Sequence, residues 1–256
     1  MSNLPIGVFD SGVGGLTVLK ALRERMPAER YLYLGDTARL PYGTKSPDTV
    51  TRYALKAAGA LVDRGIKALV VACNTASSVA IAQLTEAYAP IPVLGVVEPG
   101  ARAAAEAAQR SGSNTVLVLA TESTVAGGAY SRALLNINAA LKIRQRTCPL
   151  LVTLAEEGRQ DDRLTHLILE DYLAIERQAD TTLLLGCTHF PMFRQVFTRL
   201  LDPHMQVIDS AETTANAVYE LLHAAGALAR HDNPGVELLA TDDQARFRRG
   251  GRYFLG

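Results

Sequence analysis

Of the three cysteines in the chain, two stand in matching settings: Cys73 in ALVVACNTASS and Cys187 in TLLLGCTHFPM. Each closes an apolar run and is followed by a small polar residue. A thiolate is a nucleophile, a base or a metal ligand, and a thiol is an acid, so a symmetric pair suits one chemistry served from two sides. Proton removal at one face of a substrate and return at the other is the natural candidate. Cys73 precedes Asn74, Thr75 and a helix start, whose dipole and free N–H groups are expected to lower its thiol pKa toward neutrality. Cys187 precedes Thr188 and His189, and an imidazole can shuttle a proton or bind a carboxylate. A lone cysteine behind a strand is ordinarily a small packing residue, the reading that fits Cys148 in RTCPLLV. Neither Cys73 nor Cys187 has a CxxC partner, so no metal is expected.

Two further segments carry polar groups toward the same chemistry. FDSGVGGLTVLK, residues 9–20, reads as a strand end passing through a glycine turn into a helix, where backbone N–H groups bind anions. A dinucleotide fingerprint fails there, because Thr17 replaces the third glycine and Asp10 would sit beside the pyrophosphate. Asp10 with Ser11 suits an ammonium group instead. GDTARLPYGTKSPDT, residues 35–49, is too long to be only a turn; Tyr42 and Gly43 in it can offer a hydroxyl and backbone N–H groups, or the segment is a packed surface loop.

The elements that must position these residues alternate between short apolar runs and helical stretches, the pattern of parallel sheets covered by helices. Strands are expected near 5–9, 31–35, 67–72, 92–97, 115–120, 143–147, 182–186, 206–208 and 236–240, and so many fit two α/β units better than one sheet. Ser46 with Pro47 should start one helix and Gly65 end it. The helix after Cys73 should run through ASSVAIAQLTEAYA. In open α/β sheets ligands bind beyond the carboxyl ends of strands, where Asp10, Asp36, Cys73, Thr121 and Cys187 all fall. A turn at Glu98–Pro99–Gly100 is expected at the first domain crossover and a second crossover near Asp209 and Ser210. The expected units are 1–97, 98–209, and a segment 210–256 returning to the first.

Composition narrows the class. The chain has 256 residues, with 26 basic and 26 acidic ones, so no global field recruits nucleic acid or a membrane. No export signal or membrane-length apolar stretch is read, and an odd, small number of cysteines suits reduced thiols; the expected compartment is the cytoplasm. The basic run RFRRGGRYF is expected to be a solvated tail.

DSGVGGLTVLK, GDTARLPYGTKS, ACNTAS, GVVEPGARAA and GCTHFP together resemble the glutamate racemases of the aspartate/glutamate racemase superfamily, over residues 6 to about 220. The resemblance implies two similar α/β domains, each a mostly parallel sheet flanked by helices, with the active site in the cleft between them. It makes Cys73 and Cys187 the acid/base catalysts on opposite faces of the substrate Cα, and Asp10, Ser11, Tyr42, Gly43, Asn74, Thr75, Thr188 and His189 the substrate-binding positions. It further implies a carboxylate contact from Thr121, Glu156 acting beside His189, and Asp10 assisting Cys73. The implied reaction converts L-glutamate to D-glutamate for peptidoglycan, with no metal or organic cofactor, in a homodimer. Thr153 and Gly127 depart from the family pattern, at places expected to lie away from the catalytic pairs. Racemisation of aspartate by the same cysteines, amino-acid binding without chemistry, and thiol redox exchange are the competing readings.

Overall fold

The computed structural model describes residues 3–174, 181–229 and 234–255. Their strands are β1 (Ile6–Asp10), β2 (Arg30–Gly35), β3 (Ala68–Val71), β4 (Val93–Gly95), β5 (Thr115–Ala120), β6 (Lys142–Thr147), β7 (Thr181–Gly186), β8 (Val207–Asp209) and β9 (Gly235–Ala240). The helices are α1 (Leu16–Arg25), α2 (Pro47–Val62), α3 (Asn74–Val79), α4 (Ile81–Ala87), α5 (Val97–Arg110), α6 (Glu122–Gly127), α7 (Ala129–Ile137), α8 (Pro149–Glu156), α9 (Arg163–Leu173), α10 (Arg194–Leu200), α11 (Ser210–Ala224) and α12 (Gln244–Leu255). All nine expected strands form, each within two residues of its expected ends.

They make two parallel sheets, one ordered β4-β3-β1-β2-β9 and the other β6-β5-β7-β8. The inner strands β1, β3, β5 and β7 read as nearly unbroken apolar runs because both faces are covered, whereas the edge strand β6, KIRQRT, is polar and partly exposed. Along β5, Leu117 and Leu119 enter one cluster, whereas Val116, Val118 and Ala120 enter another on the opposite face. Along β3, Val70 faces the first of these while Leu69 and Val71 pack with α2. The largest cluster belongs to neither sheet alone: Leu16 and Leu19 of α1, Leu183 and Leu185 of β7, and Val218 and Leu222 of α11 share it. Each such side chain, fully buried, contributes about 1.5–3 kcal/mol of hydrophobic stabilisation. That common core fixes one sheet relative to the other.

Both sheets have the same internal logic. In the first, β2 lies on one side of β1 and β3 on the other; in the second, β6 and β7 flank β5 in the same way. The chain therefore reverses its direction of winding between β1 and β3 and again between β5 and β7, and at such points the loops splay and leave a crevice. Cys73 follows β3 and Cys187 follows β7. Their matching sequence settings are equivalent positions at two equivalent crevices.

Local expectations hold at α2, where the Ser46 hydroxyl accepts from the Thr49 N–H at 3.4 Å, and Gly65 takes φ +74° beyond the helix end. Three others are corrected. The helix after Cys73 breaks at Ala80, which takes φ −115° and ψ −4°, so α3 and α4 are separate. Glu98–Pro99–Gly100 is not a turn but the first turn of α5, where proline's missing N–H leaves no helical bond unmade. The basic run is not a solvated tail: it lies in α12, with Phe247 and Phe254 both 4% exposed. Two apolar residues seven apart share one helix face, and that face packs against Val13 and Leu16 through Gly250 and Gly251 while Arg248, Arg249 and Arg252 point outward. No helix among the described residues is long and apolar enough to cross a membrane.

Candidate active site

The two crevices open on a single cavity of about 260 Å³, small among ligand pockets, which commonly span about 300–1,000 Å³. Nine of the ten expected site residues line it: Ser11, Tyr42, Gly43, Cys73, Asn74, Thr75, Cys187, Thr188 and His189. Asp10 does not. It is fully buried behind the β1–α1 turn, where Oδ2 accepts from the Gly12 N–H at 2.8 Å and Oδ1 has no hydrogen-bond partner among the described residues. Burial raises its pKa, while the charge of His189 and the N–H groups of Gly12 and Gly15 oppose the rise.

The two thiols have different partners. The Cys73 sulfur accepts from the Ala76 N–H and donates to Ser11 Oγ, both at 3.5 Å. The helix start was expected to lower its pKa, but the opposite holds: burial, then the Asp10 charge, push Cys73 up to about 12, and the two hydrogen bonds only moderate this. The sulfur of Cys187 instead faces His189 Nδ1 at 3.7 Å. His189 Nε2 lies 3.3 Å from Glu156 Oε1, an ion pair when the ring is protonated, with His189 buried and Glu156 partly buried. Burial works against a charge on His189, yet the Cys187 sulfur and the Glu156 carboxylate outweigh it and lift the imidazole to about 10. Both neighbours favour the imidazolium over the neutral ring, and an imidazolium there is a counter-charge for negative charge on the Cys187 sulfur. A negative charge at Cys187 also raises Cys73, so the cavity favours one thiol and one thiolate over two thiolates.

Hydroxyls and amides fill the wall between the sulfurs. Thr75, Thr121 and Thr124 form a closed triangle of hydroxyl contacts at 2.9–3.2 Å, joining α3 to α6 across the two sheets. Asn74 accepts at Oδ1 from the Tyr130 hydroxyl at 2.5 Å, leaving a buried Nδ2 without a hydrogen-bond partner among the described residues. Tyr42 does not offer its hydroxyl to the cavity; it donates to Asp36 Oδ2 at 2.6 Å, and Asp36 also holds Arg39 at 2.7 Å and Thr241 at 2.8 Å. The segment behind Tyr42 is thereby anchored. It is also tied across the cleft, where the Ser123 N–H donates to Gly43 O at 2.9 Å. Gly14 has to be glycine for a similar reason, since a Cβ there would lie 2.4 Å from Thr188 Oγ1 and 2.6 Å from the His189 ring.

Several contributors were not anticipated from sequence. Leu40, Pro41, Pro149 and Val152 line the cavity, and Thr153 does too, on the same helix as Glu156, contrary to the expectation that it lies aside. Phe254 of α12 meets His189 edge-on, with ring centroids 5.5 Å apart. Cys148 is buried at the start of α8 and is absent from the cavity wall, in keeping with a packing role. Cys148→Ala should therefore cost about 1–2 kcal/mol through the lost sulfur and the void it leaves, lowering Tm by a few degrees in a thermal melt while turnover stays within about twofold.

Comparison with known proteins follows the same lines. The Asp/Glu/hydantoin racemase family model matches residues 6–218. Glutamate racemase from Geobacter metallireducens is 49% identical over 98% of this chain and 92% of its own length. Among solved structures, glutamate racemase from Thermus thermophilus in complex with β-chloro-D-alanine has a TM-score of 0.88 at 44% identity, covering 98% of this chain and 93% of that one. The enzyme from Francisella tularensis in complex with D-glutamate has a TM-score of 0.91 at 35% identity, covering 100% of this chain and 94% of that one. Fold, near-complete coverage and identity agree, and this chain belongs to the Asp/Glu/hydantoin racemase family.

Proposed function

We propose that the chain is a glutamate racemase that interconverts L- and D-glutamate by two-base catalysis with Cys73 and Cys187, supplying D-glutamate for peptidoglycan. The observation that carries this reading is the meeting of the two crevices on one small cavity, with the Cys73 sulfur beside Ser11 on one side and the Cys187 sulfur beside His189 on the other. A planar, carbanion-like Cα between them loses its proton to one sulfur and gains one from the other, which inverts the centre. The direction of reaction decides which sulfur is base and which is acid.

The α-proton of an amino acid is weakly acidic, so charge developing beside the carboxylate has to be met by donors already in place. The Asn74 amide, the Thr75 and Thr188 hydroxyls and the N–H groups around Gly43 are the donors we assign to the two carboxylates, with Ser11 on the ammonium side and Asp10 behind the cavity wall, acting on Cys73. The Thr121 contact is included in this assignment. His189 and Glu156 we assign to Cys187 as its proton partners, a role their contacts favour over binding substrate directly. Among the described residues no lysine lines the cavity, and the chemistry we assign is carried by the two sulfurs. The units 1–97, 98–209 and 210–256, cytoplasmic residence and a homodimer belong to the same reading.

Purified protein given L-glutamate without any added cofactor should produce D-glutamate, measured by chiral chromatography, at a rate well above that with L-aspartate. Faster conversion of aspartate would move the protein to the sister activity, and binding of glutamate without conversion would make it a receptor.

A further inference from the structure

Tyr130 touches both cysteine-bearing loops and lines neither. It sits in α7, fully buried. Its hydroxyl donates to Oδ1 of Asn74, the residue after Cys73, at 2.5 Å. Its ring packs on the backbone of Gly186, the residue before Cys187, so closely that a Cβ there would lie 3.0 Å from Cε2. Gly100 faces the phenol on the other side, where an added Cβ would lie 3.5 Å from the hydroxyl, an ordinary contact, and Ser210 hydrogen-bonds the same oxygen. One rigid side chain thus spans from the strand end that carries one sulfur to the strand end that carries the other.

We infer that Tyr130 is a positioning residue for the racemase reaction: its hydroxyl fixes the orientation of the Asn74 amide, and its ring sets the seat of Cys187 relative to Cys73. An asparagine amide can present either its oxygen or its NH₂ group by a half-turn. The Tyr130 hydroxyl, buried and with its proton committed to Oδ1, selects one of the two. Asn74 lines the cavity, and its buried Nδ2 has no hydrogen-bond partner among the described residues, a donor matched to an anionic group of the ligand. Without the phenol the half-turned amide would point an oxygen at that group and repel it. The ring acts separately, because a contact on the Gly186 backbone moves Cys187 whatever Asn74 does.

The two functions predict different kinetic signatures. Rested on the racemase reading, Tyr130→Phe keeps the ring and loses the hydroxyl, and should raise KM for L-glutamate about tenfold with a smaller loss of kcat. Tyr130→Leu also removes the ring and should lower kcat about tenfold or more. Asn74→Ala should raise KM at least as much as Tyr130→Phe, and Tyr130→Phe/Asn74→Ala should be no worse than Asn74→Ala, since the hydroxyl acts through that amide. Asn74→Asp keeps an acceptor for Tyr130 and replaces the donor by a carboxylate oxygen that repels the ligand's anionic group, so it tests the amide role should Tyr130→Phe fail to fold; a raised KM is expected. A wild-type KM in folded Tyr130→Phe or in Asn74→Asp, or multiplicative effects in the double variant, would overturn the inference. Inactivity of the unmodified protein toward glutamate would instead overturn the racemase reading itself.

Discussion

Cys73→Ala and Cys187→Ala should each lower kcat for racemisation about 10²- to 10⁴-fold in both directions, the range that loss of one general acid or base produces. The loss is symmetric in direction because each sulfur is the base for one enantiomer and the acid for the other. Either variant leaves a proton with a donor and no acceptor, or the reverse. Folding should survive, since each thiol contributes only a small apolar volume at the edge of its cluster. Polarimetry from both enantiomers, with circular dichroism to verify the fold, checks this. A Cys187→Ala protein retaining a tenth or more of the activity would refute the two-base assignment.

His189→Ala should lower kcat about 10²-fold and remove the alkaline limb of the pH profile that His189 imposes on the intact protein. The sign follows from the direction of the shift. The imidazole is raised from 6.5 to about 10, so the charge that supports a Cys187 thiolate is present through the neutral range and is lost as pH rises through about 10. Folding stability carries the same signature: the contribution is complete below about pH 6.5 and disappears as pH rises through about 10. Glu156→Gln removes one of the two groups that raise the imidazole, so its alkaline limb should shift to lower pH with a smaller loss of kcat at neutrality. A kcat–pH profile of the two variants beside the unmodified protein decides the point, and an unshifted limb in Glu156→Gln would show that the carboxylate does not act through His189.

The parts of the molecule legible in its sequence are those where one local cause suffices. Strands buried on both faces must be continuous apolar runs, and TVLVLA and TLLLG can hardly be read otherwise. The matched cysteine settings were legible because equivalent crevices in two similar sheets require equivalent residues. What escaped depended on distant partners. The pKa of Cys73 was misjudged because the helix start is local, whereas the burial and the Asp10 charge that dominate it come from elsewhere in the fold. Tyr42 gave its hydroxyl to Asp36 instead of the cavity, a choice between two plausible partners that spacing cannot make. In α12 the four arginines masked a usable signal, the spacing of Phe247, Gly250, Gly251 and Phe254 on one face. Tyr130 offered no signal at all, because an aromatic residue in a helix is ordinarily core, and its neighbours Asn74 and Gly186 lie in different parts of the chain.

The most direct test of the account is the isotopic content of both enantiomers at early times, with unlabelled L-glutamate converted in deuterium oxide. Two bases predict that newly formed D-glutamate carries deuterium at Cα while the remaining L-glutamate still carries hydrogen, because the sulfur that delivers is not the one that abstracts. Product retaining the substrate's own hydrogen, or deuterium entering unreacted L-glutamate as fast as product forms, would mean that a single group serves both faces, and would contradict the pairing of Cys73 with Cys187.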